Sequence, residues 1–318
     1  MKLDENIMIG ESAELHNVLN ATNIIAATPA TVLILGESGT GKELIAHSIH
    51  QQSARSSQPM VSINCSALSD TLVESELFGH KKGSFTGADS DRPGKLKTAH
   101  NGTLFLDEIG ELPLSIQAKF LRFLESGECQ TVGEETSKKL DVRIIAATNR
   151  DLRQCVSNGT FREDLYYRLN VIPLTLPPLR DRGNDISLLL KHYAQHFAIT
   201  YQLDKISFSS SAIKILSQYQ WPGNIREIKN FTERMAILNH GKTIQIENIP
   251  GEYLPVDSNI TDTIPFKLPI AGLNLEDMEI SFINQALNKT AGNRSRAARL
   301  LGLTRDTLLY RIKKYSLS

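Results

Sequence analysis

The chain has 318 residues, long enough for two or three domains and at least one large core. Its 41% hydrophobic and 22% charged residues are those of an ordinary globular protein, which excludes a disordered or collagen-like chain. The 35 basic and 35 acidic side chains cancel, so the molecule as a whole advertises no polyanion partner.

Cys65, Cys129 and Cys155 are widely spaced and fit neither a disulfide framework nor a CxxC metal site. The start "MKLDENIMIG" is no signal peptide, and no apolar run approaches the length of a membrane span. The expectation is a cytoplasmic protein with buried free thiols.

In chain order, "TVLILGESGTGKELIAHSIH" predicts a buried strand over Val32–Leu35, a glycine loop, and a helix from about Lys42. Gly36, Glu37, Ser38, Gly39, Thr40, Gly41 and Lys42 satisfy G-x-x-x-x-G-K in the context that motif needs. Glycines let the backbone N–H groups curl around phosphate, the helix N-terminus adds positive potential, and Lys42 reaches the β- and γ-phosphates of ATP. The bland alternative is a glycine turn. Glu43 stands where a Ser or Thr usually touches Mg²⁺, so the metal has to be held mainly by another residue.

"GSFTGA", Gly83–Ala88, sets one aromatic between small residues with no helical or strand period. Either Phe85 tucks back into the core or it is a presented contact on a loop with permissive backbone angles. Further on, "GTLFLDEIGEL" predicts a second strand ending in Asp107 and Glu108, about 65 residues after the glycine loop. Asp107 is placed to hold Mg²⁺ and Glu108 to polarise the attacking water. A third strand, "DVRIIAATNRDL", ends in Thr148 and Asn149; Asn149 is either a γ-phosphate sensor or a turn residue. Apolar runs separated by helical stretches such as "LSIQAKFLRFLES" imply an α/β fold, a parallel sheet with helices on both faces. Ligands bind such sheets at the strands' C-terminal ends.

"FREDLYYRLN" carries Arg162 and Arg168, which read as surface charges or as arginine fingers supplied by a neighbouring subunit. Pro173, Pro177 and Pro178 then break any continuing strand or helix. Three helical stretches follow, and the last, "NIREIKNFTERMAILN", puts Arg226 on a helix capped by Asn224, able to point back at the nucleotide. The proline-containing segment after Gly241 reads as a linker. From Lys289 onward eight basic residues face Asp306 alone. "NRSRAARLLGLTRDTLLYRIKK" reads as helix, turn, helix, with Asn293 and Thr304 as caps, Gly302 in the turn, and Ala297, Leu300 and Leu301 inward. Arg305, Asp306, Tyr310 and Arg311 are expected on the exposed side, with Arg294 and Lys313 near phosphate. The alternative is a basic hairpin docked on the rest of the chain. The expected division is a nucleotide-binding α/β part over 1–172, a helical lid over 173–245, a linker over 246–273 and a helix-turn-helix over 274–318.

Together "GESGTGKE", "ELFGHKKGSFTGA", "GTLFLDEIGELP", "FREDLYYRLNVIPLTLPPLRDR" and "WPGNIREIKN" resemble the bacterial enhancer-binding proteins, the AAA+ activators of sigma-54 RNA polymerase. The resemblance runs from about Ile9 to the C-terminus, where the chain is similar to a Fis-type DNA-binding domain. It implies that Glu43 is the usual residue and that Asn64 is a switch holding Glu108 from water until γ-phosphate is sensed. It also implies that Arg162 and Arg168 act across subunits of a ring, usually a hexamer. "GSFTGA" becomes the loop that touches sigma-54, with Gly83, Ser84, Phe85, Thr86, Gly87 and Ala88 as the contact. The family usually has Ala at the place of Ser84, and serine is nearly isosteric. Double-stranded enhancer DNA is the implied second partner. The family often begins with a receiver or ligand-sensing domain, and this sequence begins at the ATPase. Control is therefore expected from a separate regulatory protein or from expression level, unless the chain is truncated. The competing readings are a repressor of the same ancestry, against which the intact "GSFTGA" argues, and a clamp loader or unfoldase, against which the fused helix-turn-helix argues.

Overall fold

In the computed structural model, residues 8–66, 70–84, 89–254, 274–290 and 292–315 are described. The chain divides into two compact units, residues 1–255 and 256–318. Helices of seven residues or more are numbered, as are the strands of the main sheet.

The first unit is built on five parallel strands: β1 (Val32–Leu35), β2 (Met60–Asn64), β3 (Thr103–Asp107), β4 (Arg143–Thr148) and β5 (Ile172–Thr175), in the spatial order β2-β3-β4-β1-β5. Side chains alternate across the sheet with the two-residue period of a pleated strand. Val32, Ile34, Phe105, Ile145 and Ala147 pack with α1 (Ala13–Ala26) and α2 (Lys42–Gln51). Leu33, Leu104, Leu106, Ile144 and Ala146 pack on the other face, with α3 (Asp70–Phe78), α4 (Leu114–Ser126) and α5 (Glu163–Leu169). The expected β1, β3 and β4 are joined by two strands that periodicity did not mark. β2 is only partly buried, and β5 contains Pro173, which was expected to break a strand. Proline is tolerated there because β5 is an edge strand, hydrogen-bonded to β1 on one side only.

The lid contains α6 (Asp185–Tyr201), α7 (Ser210–Leu216) and α8 (Asn224–Leu238) around a core centred on the fully buried Trp221. Residues 246–254, expected to open a linker, still belong to this unit. Ile246–Asn248 and Gly251–Tyr253 form 3₁₀ turns, and Ile249 and Tyr253 are buried in the lid core against Trp221 and Phe231.

The second unit holds α9 (Leu275–Lys289), α10 (Arg294–Leu300) and α11 (Arg305–Lys314) around Ile283, Ala286, Ala297, Ala298, Leu308 and Ile312. Leu300, expected inward, is 62% exposed; Ala298 takes the inward place instead. No helix among the described residues is long and apolar enough to cross a membrane.

Candidate functional site

The loop leaving β1 turns through Gly39 (φ +77°) and Gly41 (φ +100°), backbone angles that a side chain would strain. Each of its carbonyls from Gly36 to Gly39 has a donor. Lys42 Nζ reaches Gly36 O at 3.0 Å and Glu37 O at 3.3 Å, and Thr40 Oγ1 also donates to Glu37 O. Asn224 Nδ2 donates to Ser38 O at 3.0 Å, and the Ile225 N–H to Gly39 O at 2.9 Å. With every carbonyl from Gly36 to Gly39 engaged, the loop is pre-formed as a cradle whose amide edge is available to an anion.

The strand ends supply the carboxylates. Glu108 sits in the left-handed region (φ 54°, ψ 50°), rare for a residue with a side chain and a feature that gathers at functional sites. Its Oε1 lies 3.7 Å from Lys42 Nζ, and its Oε2 accepts the Asn149 N–H at 3.2 Å. Asp107 ends β3. Burial raises its carboxyl above the ordinary range, and the neighbouring Glu108 charge adds to that against the opposing pull of Lys42. Burial likewise pushes the Cys65 thiol up to about 12, helped by Asp107 and Glu108, so Cys65 is no nucleophile here.

Asn64 was expected to hold Glu108. Its Nδ2 instead donates to Asp107 Oδ2 at 3.3 Å, and its Oδ1 accepts from Ser66. The register of β2 on β3 explains this, because Asn64 is paired with Asp107 while Glu108 lies beyond the ladder.

A cleft of about 710 Å³ opens between loop and lid, lined by Ser38, Gly41, Lys42, Glu43, Asp107 and Glu108 on one side and Tyr193, Phe197, Ile225, Arg226 and Lys229 on the other. Arg226 Nη1 rests on Ser38 Oγ at 2.9 Å. Its helix is not capped by the Asn224 side chain as expected. Asn224 is fully buried at φ 52°, with its amide spent on other segments, and the Gly223 N–H is taken by Glu227 Oε2 at 2.7 Å.

Glu37 and Asn149 line a second cavity, of about 570 Å³, on the far side of the loop. Arg162 and Arg168 line neither. Arg162 grips Asp164 through two bonds (3.0 and 2.7 Å), and Arg168 donates to Leu124 O at 2.9 Å, both largely at the surface. Arg180, in "PPLRDR", has no role legible in the sequence; in the structure it holds Glu37. A basic residue two positions after a pair of prolines carries no distance information, so only its place in a shared motif could have singled it out.

Of the loop expected to touch sigma-54, Gly83 and Ser84 are described, and Phe85, Thr86, Gly87 and Ala88 lie outside the described residues. The described stem is tied down on both sides. The Lys82 N–H and Lys81 Nζ bond to Asp91, and the Lys81 N–H bonds to Val132 O beside the hairpin Glu128–Lys139.

In the second unit, Asn293 accepts the Arg296 N–H and Thr304 accepts the Thr307 N–H, the expected caps, and Gly302 turns at φ +67°. Arg294, Arg305, Asp306, Tyr310 and Lys313 are exposed. Arg311 is not on that open face. It pairs with Glu279 of α9, as Lys314 pairs with Glu276, so α9 takes up two of the three basic side chains at the C-terminal end of α11 and Lys313 stays exposed.

Comparison with known proteins agrees with this layout. Residues 8–175 match the sigma-54 interaction domain, 180–263 the AAA+ ATPase lid domain, and 274–315 the bacterial regulatory protein, Fis family. The regulatory protein AtoC of Escherichia coli is 46% identical over 314 residues, covering 98% of this chain and 68% of that protein. The transcriptional regulatory protein ZraR of Salmonella typhimurium is 46% identical over 309 residues, covering 96% of this chain and 68% of that protein. The crystal structure of NtrX from Brucella abortus in complex with ATP superposes with a TM-score of 0.75 at 31% identity, over 98% of this chain and 69% of that one. The chain therefore belongs to the sigma-54 transcription regulators that join an AAA+ domain and its lid to a Fis-type helix-turn-helix.

Proposed function

We propose that this chain hydrolyses ATP in the cleft between loop and lid and uses that hydrolysis, as a ring, to convert closed complexes of sigma-54 RNA polymerase to open ones. The helix-turn-helix would hold the ring at enhancer DNA. One observation carries the reading: Lys42, Asp107 and Glu108 meet at the mouth of a pre-formed glycine cradle roofed by Arg226.

The donor set fits a nucleotide with Mg²⁺. Gly41 turns at φ +100°, a backbone angle that a side chain would strain, so glycine is needed where the loop enters α2. Asp107 would supply one hard oxygen of the few that Mg²⁺ takes from protein when phosphates provide others. The metal's contribution is to neutralise charge on the phosphate oxygens. Lys42 exchanges the Gly36 and Glu37 carbonyls for phosphate oxygens, which also takes its charge from Glu108. Glu108, held at one oxygen by the Asn149 N–H, is then the group able to accept a proton from water. Ser38 and Glu43 line the same cleft, Thr40 braces the loop through Glu37 O, and Asn149 contributes its N–H to Glu108. Arg162 and Arg168 lie outside their own cleft and at the surface, as residues completing a neighbour's site would.

The test is a set of three variants. Lys42→Ala should abolish nucleotide binding, and Glu108→Gln should bind nucleotide and lose hydrolysis. Thr86→Ala should hydrolyse ATP and bind DNA yet fail to support open complexes at a sigma-54 promoter. Wild-type turnover by Glu108→Gln would sink the catalytic assignment, and normal activation by Thr86→Ala the sigma-54 assignment.

A further inference from the structure

The first variable position of a phosphate loop invites assignment to the nucleotide. Here the Glu37 carboxylate points the other way. It takes both guanidinium nitrogens of Arg180, at 2.9 and 2.6 Å, in the planar fork that makes such pairs directional, and it accepts a third bond from Asn224 Nδ2 at 3.1 Å. These bonds hold the carboxyl below the ordinary carboxylate range.

Asn224 is the hub of the contact. Its other bonds go to Ser38 O (3.0 Å) and, through Oδ1, to the Leu179 N–H (2.7 Å). Its backbone is left-handed and its side chain fully buried, an arrangement kept only where several partners hold it. Next to it the Ile225 N–H meets Gly39 O, and a Cβ on Gly39 would lie 2.3 Å from Gly223 O. Lid residues 223–226 and Arg180 thus grip loop residues 37–39 at successive positions. The loop that receives phosphate and the helix that carries Arg226 share one set of polar bonds.

We infer that Glu37, Arg180 and Asn224 are positioning residues that dock the lid on the phosphate loop, fixing where Arg226 stands. Glu37 contacts no nucleotide. The inference rests on the reading of the cleft as an ATPase site, and two independent readouts separate them.

Glu37 and Arg180 are partly exposed (side chains 41% and 35%), so Glu37→Gln and Arg180→Gln should fold. Each should raise hydrogen exchange at the Ile225 and Leu179 amides. Each should lower kcat for ATP at least about tenfold, since small misplacements of a charged group are costly in turnover. ADP binding should change less than about threefold. The double variant should lose no more than either single variant, because both break the same contact. Arg180→Lys, which keeps the charge without the fork, should recover part of kcat. Unchanged exchange at Ile225 with full turnover in Glu37→Gln overturns the inference. So do ADP affinity falling in step with kcat, and losses that add in the double variant. A wild-type chain that hydrolyses no ATP removes the ATPase reading, while faster exchange in Glu37→Gln would still establish the docking.

Discussion

Replacing Asp185 by alanine should release the chain's N-terminal strap from the lid. Asp185 is 1% exposed and is held by four donors: the Glu11 N–H at 2.6 Å, the Ser12 N–H at 3.1 Å, Ser12 Oγ at 2.9 Å and Arg182 Nε at 2.9 Å. Arg182, equally buried, also donates to Ile9 O at 2.5 Å. Removing the carboxylate strands a buried guanidinium, at a cost of about 3–5 kcal/mol. Against a domain stability of about 5–15 kcal/mol this is large. Read as native-state hydrogen exchange at the Glu11 and Ser12 amides, it amounts to an acceleration between about a hundredfold and a few thousandfold. Urea unfolding at neutral pH should show a lower midpoint. Arg182→Met combined with Asp185→Leu should recover most of the loss, since no charge is then left unpaired.

The pH dependence has a definite sign. Burial alone would raise the Asp185 carboxyl, but the Glu11 N–H, Arg182 and Ser12 outweigh it and the net shift is downward. A depressed carboxyl contributes stability that is present above its unfolded pKa and lost as pH falls through the folded one. Wild type should therefore shed this contribution in acid, and Asp185→Asn should lack that step. A cost below about 1 kcal/mol for Asp185→Ala, or an unchanged acid limb in Asp185→Asn, would refute the reasoning.

Among the described residues Ser84 Oγ is buried without a hydrogen-bond partner, and its Cβ lies 3.0 Å from where a Cβ on Gly133 would be. Ser84→Ala should stabilise by up to about 1 kcal/mol, read as a slightly higher thermal midpoint, while Gly133→Ala, at φ +81°, should lower the midpoint. In DNA titrations, Arg305→Ala should cost about 1–3 kcal/mol at the specific site and relax sequence preference. Lys313→Ala should weaken all sequences alike and lower the salt slope by about one. Arg311→Ala should mainly loosen α11, by about 0.2–1 kcal/mol, as expected for a pair at the surface. A loss of specificity equal to that of Arg305→Ala would contradict its pairing with Glu279.

The sequence by itself determined what contiguous residues can encode. The run from Val32 to Lys42 dictates strand, glycine turn and helix because apolar period, permissive backbone and helix start follow one another along the chain. Asp107 and Glu108 were placed at a strand end by the apolar run before them, and Asn293 and Thr304 as caps by the helices after them. Only the tertiary structure decided where long side chains turn. Glu37 meets Arg180 and Asn224, 143 and 187 positions away. Arg311 is drawn to Glu279 across 32 positions, and Asn64 to Asp107 by the pairing of two strands. Pro173 stands in a strand because that strand is at the sheet's edge. A charged side chain reaches far enough for several partners, and its choice is set by which distant element the core brings within about 3 Å.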